Sequence, residues 1–307
     1  MHFFVTGGTG HVGAALIRRL VENGHLVAAL VRDPLDIKLL EPLRNQLTLL
    51  DFHDGYSELV CKTLSEFKPD TTIHLAWGGV SGGSRNDPHC ISTNISLSME
   101  TLDAARLAGC KSFIGIGSQA EYGPVVGSVA EIASESPVTG YGVAKFAVSK
   151  ISEKYCELAG MRWAWVRLFA TYGPGDDSSH FIPHIISNFV AGKSPDLTLC
   201  EQRWDYLYVE DAADAIALLA ESNSTQGLFN LGSGVAVSLK EIVELVRSEI
   251  GVDITPRYGS LDYRPDQVMH LESNIAKIIH ATGWKPKISL QAGLNKTIAL
   301  FPHSKGN

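Results

Sequence analysis

The types and spacing of three residues, Ser118, Tyr141 and Lys145, could support proton transfer. Side chains four residues apart share one face of a helix, so a helix here would bring the phenol of Tyr141 and the ammonium of Lys145 together. A neighbouring ammonium stabilises phenolate and lowers the pKa of the tyrosine, which makes its hydroxyl a usable proton donor or acceptor near neutral pH. If Tyr141 exchanges its proton with the oxygen of a carbonyl or alcohol substrate, the Ser118 hydroxyl could form a hydrogen bond to that oxygen. We therefore predict that the three residues are catalytic.

The tyrosine–lysine pair alone is also typical of a partly buried helix tyrosine beside a surface lysine, so its interpretation depends on a glycine-rich segment near the chain start. Glycines recur at every third position there, between an apolar run and a helical pattern. This spacing allows a tight turn and close approach of a pyrophosphate, to which the helix N-terminus adds amide donors. We predict that a dinucleotide binds at Gly7, Gly10, His11, Val12 and Gly13. Together with the three residues above, it would complete a redox site.

The end of the second apolar run bears on the choice between NAD and NADP. NAD binding would place an acidic side chain there, bonded to the ribose 2′-hydroxyl. The chain instead has Val31 followed by Arg32, whose planar donors suit a 2′-phosphate. Asp33 is one residue further on, so a shift of one position would restore an acid. The sequence favours NADP bound through Arg32 and leaves NAD possible.

Short apolar runs alternate with helical patterns through the first two-thirds of the chain. Strands are predicted at 3–6, 26–31, 47–50, 72–76, 113–116 and 163–168, and helices at 12–23, 93–108 and 141–158. This alternation is typical of an α/β fold, a doubly wound parallel Rossmann sheet with helices on both faces. The catalytic tyrosine and lysine would then lie on a helix, and Ser118 just after a strand.

The rhythm loosens after residue 173, where glycine, proline and aspartate cluster. We expect residues 1–173 to form the dinucleotide-binding domain and 174–307 to form mainly a smaller substrate-binding lobe. Helices are predicted at 182–191 and 239–250. The segment 205–232 is expected to pack back onto the first domain.

Composition limits the classes of partner. The 307 residues are 45% hydrophobic and 19% charged, as in an ordinary globular protein, and the net charge of −7 argues against nucleic acid or an anionic membrane as partner. The five scattered cysteines lack the spacing of a metal site and are expected to be reduced. No secretory or membrane-spanning segment is visible, so we expect a cytoplasmic protein.

Together these residues resemble the extended short-chain dehydrogenase/reductase family, in its branch of nucleotide-sugar epimerases, dehydratases and reductases. The resemblance runs from the glycine loop to residues 283–286. It implies that Tyr141 is the catalytic acid/base, that Lys145 lowers its pKa and holds the nicotinamide ribose, and that Ser118 bonds the substrate oxygen. It also implies a nucleotide-sugar substrate.

Further cofactor residues are implied only by the resemblance. Asp51 and Phe52 match a pair that flanks the adenine, and Leu75 and Ala76 match a strand end that lines the cofactor site. Asn94 matches an asparagine on the next helix, although a capping or turn role explains it nearly as well.

Two arginines are implied to bind the substrate. Arg203 resembles a substrate-side arginine, and Arg264, in the motif Arg264-Pro265-Asp266, resembles one that contacts the diphosphate of the sugar nucleotide. Both could make bidentate phosphate contacts. Ordinary ion pairing at the surface is the alternative for each.

The chain departs from the resemblance at two places. Dehydratases of this branch carry an Asp-Glu pair directly after the catalytic Ser or Thr, where this chain has Gln119 and Ala120. Elimination of water from a sugar would therefore lack the two acidic side chains on which the dehydratases depend. Ala170 also replaces an asparagine expected near the nicotinamide.

These observations favour an NADPH-dependent reductase of the C4 keto group of a nucleotide-linked 4-keto-6-deoxyhexose, with Tyr141 as proton donor. An NAD-dependent nucleotide-sugar 4-epimerase uses the same three residues and is the alternative. A non-catalytic nucleotide-sensing protein is a more distant one. The family resemblance also implies a homodimer, formed through the predicted helices 93–108 and 141–158.

Overall fold

The computed structural model describes residues 1–80, 82–264 and 267–301. The strands, in chain order, are β1 (His2–Thr6), β2 (Leu26–Val31), β3 (Leu47–Asp51), β4 (Thr71–His74), β5 (Ser112–Ser118), β6 (Ser128–Val129), β7 (Arg162–Leu168), β8 (Ala170–Tyr172), β9 (Asp196–Leu197), β10 (Arg203–Tyr208), β11 (Gly227–Leu231), β12 (Ala236–Ser238), β13 (Arg257–Tyr258) and β14 (His270–Ser273). The helices are α1 (His11–Glu22), α2 (Glu58–Phe67), α3 (Pro88–Leu107), α4 (Gly140–Ala159), α5 (Phe181–Val190), α6 (Val209–Glu221), α7 (Leu239–Ile250), α8 (Ala276–Thr282) and α9 (Leu290–Ala299).

Seven parallel strands form the central sheet, in the order β11-β7-β5-β4-β1-β2-β3. The order reverses between β1 and β4, and ligands of open α/β sheets bind at the carboxyl ends of the strands beside such a reversal. Helices α1 and α6 share an apolar core with one face of the sheet, whereas α2, α3 and α4 pack on the other. The predicted doubly wound Rossmann sheet is confirmed.

Most predicted elements occur within a few residues of their expected bounds, and two of the differences concern the site. Strand β5 continues to Ser118, two residues beyond the predicted end, so Ser118 is the last residue of a buried strand. Helix α3 begins at Pro88, five residues early, because the Asp87 side chain accepts from the amide of His89 and proline suits the first helical turn.

A second apolar core lies between α5, α7 and α9 and the short strands β8 and β10. Strand β11 forms the edge of the central sheet beside β7, and α6 lies against α1. The division of the chain at residue 173, and the substrate-binding role of the later part, stay predictions. None of the helices in the described ranges combines the length and apolar character that crossing a bilayer requires.

Candidate active site

A cavity of about 520 Å³ opens at the carboxyl ends of the central strands. Ser118, Tyr141 and Lys145 line it, as do all five residues predicted for the glycine loop. The wall contributed by the later part of the chain includes Trp204, Tyr206 and Arg264. Residues far apart in sequence are thus brought together in one concave site, as small-molecule sites generally require.

Ser118 is held at the end of β5 by a turn of 3₁₀-helix that spans Gln119–Glu121. Its hydroxyl accepts from the amide of Ala120 at 3.2 Å, and its own amide donates to Glu121 Oε1 at 2.8 Å. These reciprocal bonds make a capping box and fix the serine backbone. The hydroxyl therefore faces the cavity from a rigid position.

Helix α4 presents Tyr141 and Lys145 to Ser118. Its first turn is capped by Thr139, whose hydroxyl accepts from the amide of Gly142 at 3.1 Å. A side chain at position 142 would clash, because a Cβ there would lie 2.5 Å from Ala120 O. Glycine allows α4 to approach the turn after Ser118, and so places Tyr141 within hydrogen-bond reach of the serine.

The Lys145 ammonium is directed at the backbone of β5. Its Nζ donates to Ile116 O at 2.6 Å and lies 4.0 Å from the centroid of the Trp77 ring. Burial lowers the pKa of Lys145 from 10.5 to about 7, and the negative charge of Glu121 acts in the opposite direction. The lysine can therefore titrate near neutral pH.

The pKa of Tyr141 is raised in this structure. Burial is the largest cause, and the charge of Glu121 acts in the same direction, whereas the Ser118 hydrogen bond and the Arg85 charge lower it. A net lowering of this pKa is not found, because desolvation outweighs the neighbouring charges, of which Arg85 is the cation that lowers it. The effect of Lys145 on Tyr141 stays a prediction. The phenol is consequently protonated at neutral pH.

Arg85 was not singled out from the sequence. It lies in a 3₁₀ turn at Gly82–Asn86, and its Cζ is 5.2 Å from the centroid of the Tyr141 ring. Within the described ranges, its buried Nε has no hydrogen-bond partner. No sequence pattern distinguishes this arginine, since only the fold of the loop brings it to the cavity.

The glycine loop has the geometry that a dinucleotide pyrophosphate needs. Gly7 adopts a φ of 73°, and a Cβ there would lie 2.5 Å from the amide nitrogen of Ala76. A Cβ at Gly13 would lie 2.2 Å from Gly7 O. Helix α1 starts at His11 without a side-chain cap, so its first amides are available to a phosphate. The predicted loop residues therefore fit the cofactor.

His11 joins the glycine loop to the segment after β8. Its Nδ1 lies 3.0 Å from Pro174 O, which requires the proton on Nδ1 and leaves the buried Nε2 with no partner within the described residues. Burial lowers the pKa of His11 and keeps the ring neutral. Asp176 and His180 line the cavity nearby and contact each other at 2.7 Å, and this bond raises the pKa of His180.

A second recess, of about 490 Å³, lies beyond the glycine loop and contains Arg32. Thr9, Asp33, Asp36, Lys38 and Leu39 also line it, so the recess holds two cationic and two acidic side chains. Val31, at the preceding position, is buried in the core of the sheet. Asp33 Oδ1 accepts from the amide of Leu35 at 2.8 Å, which engages this carboxylate in a local turn.

The other predicted cofactor residues differ in where they lie. Leu75 lines the main cavity, whereas Ala76 donates its amide to Thr6 Oγ1 at 3.3 Å. Phe52 follows β3. Its amide donates a hydrogen bond to Val31 O, and its ring packs against that of Tyr56. Asp51 Oδ1 accepts from the amide of His53. Neither Asp51 nor Phe52 lines either cavity, and their contact with adenine stays a prediction.

Asn94 is engaged by the loop that follows β4. Its Oδ1 accepts from the amide of Gly78 at 2.8 Å, and its Nδ2 donates to Gly78 O and Cys90 O at 2.9 Å. The side chain is buried. In this structure Asn94 anchors the loop that carries Trp77, and a direct contact with the cofactor remains untested.

The structure separates the two predicted substrate arginines. Arg264 lines the cavity, whereas the rest of its motif, Pro265 and Asp266, lies outside the described residues. Arg203 does not line the cavity, and its Nη2 donates to Ala236 O at 2.6 Å. Because side chains alternate along β10, Trp204 and Tyr206 face the cavity in its place. A substrate role for Arg203 stays a prediction.

The two departures from the resemblance also lie at the cavity. Gln119 and Ala170 both line it. Ala120 is buried in the turn behind Ser118. The positions that carry acids in the dehydratases therefore present an amide and a methyl group, neither of which can donate or accept a proton as an acid does.

Known proteins share this arrangement. Residues 3–232 match the sequence profile of the NAD dependent epimerase/dehydratase family. The chain is 26% identical to a UDP-glucose 4-epimerase of Mycolicibacterium smegmatis, over 98% of both chains. It is 26% identical to a dTDP-6-deoxy-L-talose 4-dehydrogenase (NAD(P)(+)) of Kitasatospora kifunensis, over 95% of this chain and 93% of the relative.

Its structure is also similar to that of the UDP-glucose 4-epimerase of Thermotoga maritima with UDP-glucose. The TM-score is 0.88, the sequence identity is 26%, and the alignment covers 98% of both chains. Because the family profile covers well over half of the residues, the chain belongs to the NAD dependent epimerase/dehydratase family, and is an NAD(P)-dependent enzyme of the extended short-chain dehydrogenase/reductase type.

Proposed function

We propose that the protein reduces the C4 keto group of a nucleotide-linked 4-keto-6-deoxyhexose with NADPH. The observation that carries the cofactor choice is the recess at the end of β2. Val31 is buried where an acid would bind the ribose 2′-hydroxyl, and Arg32 and Lys38 line the recess beside the glycine loop. The planar donors of Arg32 suit the additional phosphate of NADPH, whereas Lys38 lies 3.3 Å from Asp36 Oδ1 in the same recess. Asp33 also lines the recess, and its carboxylate is held in a local turn by the Leu35 amide.

The ionisation of Tyr141 supports reduction. The bound dinucleotide supplies the hydride. Tyr141, kept protonated by its raised pKa, donates its proton to the substrate oxygen, and Ser118 bonds the same oxygen. Arg85, above the tyrosine ring, and the Ser118 hydroxyl then stabilise the phenolate that remains. Lys145 is proposed to bind the nicotinamide ribose from its position against Ile116 O.

The substrate end of the cavity fits a nucleotide-linked sugar. Arg264 provides a cation for a diphosphate, and Trp204 and Tyr206 provide apolar surface for a sugar lacking its 6-hydroxyl. The relative from Kitasatospora kifunensis, a dTDP-6-deoxy-L-talose 4-dehydrogenase, is named for oxidoreduction at C4 of such a sugar with NAD(P). Gln119 and Ala120 speak against dehydration as an alternative.

The direct test is anaerobic incubation of the purified protein with NADPH and 4-keto-6-deoxyhexoses carried on dTDP, GDP and CDP. We expect loss of absorbance at 340 nm and a product reduced at C4. NADH should support a slower reaction, and Tyr141→Phe should abolish both. Failure to oxidise NADPH with every one of these carriers would reject the proposal.

A nucleotide-sugar 4-epimerase with NAD is the second candidate. It is favoured by the similarity, at 26% identity, to the two UDP-glucose 4-epimerases. Such an enzyme returns its cofactor to the starting state in each cycle. NAD that co-purifies with the protein, together with sugar interconversion and no net change at 340 nm, would select the epimerase. An empty site that binds and releases NADPH would select the reductase.

We also propose that the protein is a homodimer in which α3 and α4 of two copies pack together. Exposed apolar side chains on these helices support this, namely Leu107, Ile151 and Leu158. Light scattering after size-exclusion chromatography should give twice the chain mass. Ile151→Lys should shift the particle to the monomer mass, and a monomeric wild-type protein would contradict the proposal.

A further inference from the structure

A fully buried carboxylate, that of Glu121, lies immediately behind the catalytic serine. Its Oε1 accepts from the amide of Ser118 at 2.8 Å and from Trp165 Nε1 at 3.0 Å. Its Oε2 accepts from Arg167 Nε at 2.9 Å. A buried carboxylate is costly unless every oxygen is bonded, and these donors meet that requirement. The mechanism described above uses only the serine hydroxyl and leaves this carboxylate without a role.

Glu121 and Lys145 approach the same short stretch of β5. Lys145 Nζ bonds Ile116 O, and Glu121 bonds the amide of Ser118, two residues further along. Between them, Gly117 has no side chain, and a Cβ there would lie 2.3 Å from Glu121 Oε1. The glycine therefore makes room for the carboxylate against the strand. Two opposite charges therefore bind neighbouring backbone groups at the end of β5.

We propose that Glu121 is a positioning residue, whose buried carboxylate fixes the backbone of Ser118 and supplies a negative charge that favours the ammonium form of Lys145. The inference deepens the proposed function and rests on it for the roles of Ser118 and Lys145. Burial lowers the pKa of Lys145, and Glu121 is the charge that raises it. Glu121 also raises the pKa of Tyr141, which favours the protonated acid.

The other charged groups around Glu121 and Lys145 determine which substitution can serve as the control. Arg167 also bonds Glu135 Oε1 at 2.8 Å through Nη2, and its guanidinium lies over the Tyr122 ring. Burial lowers the pKa of His74 to about 3, and Lys145 adds to this effect, so that imidazole is neutral beside the ammonium. Arg85 faces Tyr141 from the other side. Glu135 shares Arg167 with Glu121, yet it is not among the charges that act on Lys145 or Tyr141.

The test compares Glu121→Gln with Glu135→Gln in the full-length protein. Each substitution removes one carboxylate from Arg167, whereas only Glu121→Gln removes the charge at the reaction centre. We expect the alkaline limb of the kcat/KM profile to move about one unit to lower pH in Glu121→Gln, the size of effect that one nearby buried charge exerts. The limb should stay in place in Glu135→Gln. Equal shifts in both variants, or none in Glu121→Gln, would overturn the inference.

If Glu121→Gln does not fold, the same measurement can be made on the double variant Glu121→Gln/Arg167→Met, which removes both members of the buried ion pair. Its alkaline limb should also move to lower pH, but by less than in the single variant, because the Arg167 cation is removed together with the carboxylate. A wild-type profile in the folded double variant would also overturn the inference.

NADPH affinity, followed by quenching of tryptophan fluorescence, gives a readout that is independent of turnover. The pH at which affinity is lost should fall by the same amount in Glu121→Gln and stay constant in Glu135→Gln. If no keto-sugar is reduced but this shift occurs, the proposed function fails and the role of Glu121 stands. If sugar is reduced and neither profile shifts, only the role of Glu121 fails.

Discussion

The two cavities beside the glycine loop are built in different ways. At the reaction centre, Ser118 ends a buried strand, Lys145 is bonded to Ile116 O, and Glu121 is fully buried behind them. In the recess at the end of β2, Arg32 and Lys38 are exposed and lie beside Asp33 and Asp36. One region fixes its charges in the interior, and the other presents them to solvent.

The difference corresponds to what each region would have to do under the proposed function. Proton transfer requires groups held in place and shielded from water, where a single charge shifts a pKa strongly. Recognition of a 2′-phosphate requires only a cation within reach of the ribose. Substitutions at the reaction centre should therefore abolish turnover, whereas substitutions in the recess should change the choice of cofactor and leave the chemistry intact.

The largest effect is expected for Tyr141→Phe, which removes the proton donor from the reaction centre. The rate constant kcat should fall by about 10²–10⁴-fold, the usual contribution of a positioned acid. NADPH affinity should change little, because the hydroxyl acts on the substrate. Steady-state kinetics and fluorescence titration measure both quantities. Tyr155→Phe is the matched control on the same helix, since its hydroxyl bonds Asp103 outside the cavity. Comparable losses in the two variants would contradict the assignment.

In the recess, Arg32→Ala should weaken NADPH binding by about 10–100-fold, the value of one or two charge-assisted hydrogen bonds. NADH binding should be unchanged, and kcat at saturating cofactor should be close to that of wild type. Lys38→Ala is the comparison and should have a smaller effect, because this 89% exposed ammonium also lies 3.3 Å from Asp36 Oδ1. Equal loss of NADH and NADPH affinity in Arg32→Ala would show that the arginine does not read the 2′-phosphate.

Burial of Lys145 should be visible in the pH dependence of stability. Its folded pKa, about 7, is below the value of 10.5 expected after unfolding. Between these values the unfolded chain binds more protons, so this lysine makes stability rise from pH 7 towards pH 10. Below pH 7 its full destabilising effect is present. Urea unfolding at pH 7 and 9.5 should show a larger gain for wild type than for Lys145→Met. An identical gain would indicate that Lys145 is not desolvated.

The smallest effect on catalysis is expected for Asn94→Ala. The substitution leaves both backbone groups of Gly78 without their partner and should reduce the free energy of unfolding by about 1–3 kcal/mol. NADPH affinity should remain within a few-fold of wild type if Asn94 acts only on the loop. Asn86→Ala, which removes an exposed bond to the amide of Gly140, should cost less. A large loss of affinity with unchanged stability would instead support direct contact with the cofactor.

Several features of this site were predictable because they depend on local rules. Gly7 must adopt a positive φ in the turn after β1, and the period of a helix puts Tyr141 and Lys145 on one face. The buried position of Val31 also follows from the apolar run of β2. Each of these depends on a few neighbouring residues, so sequence spacing was enough to identify them.

The remaining features depend on segments that meet only in the folded chain. The Arg85 cation reaches Tyr141, and the Glu121 carboxylate reaches the serine backbone, through folded loops and turns that spacing does not specify. Alternation along β10 directs Arg203 away from the cavity, and the loop at Gly78 engages Asn94.

The sequence by itself determined the family, the glycine loop and the three candidate catalytic residues, since these are set by residue type and short-range geometry. Only the tertiary structure decided the direction in which the pKa of Tyr141 shifts. A pKa in the interior depends on how much water is excluded and on every charge nearby, and for this phenol desolvation outweighs the cations.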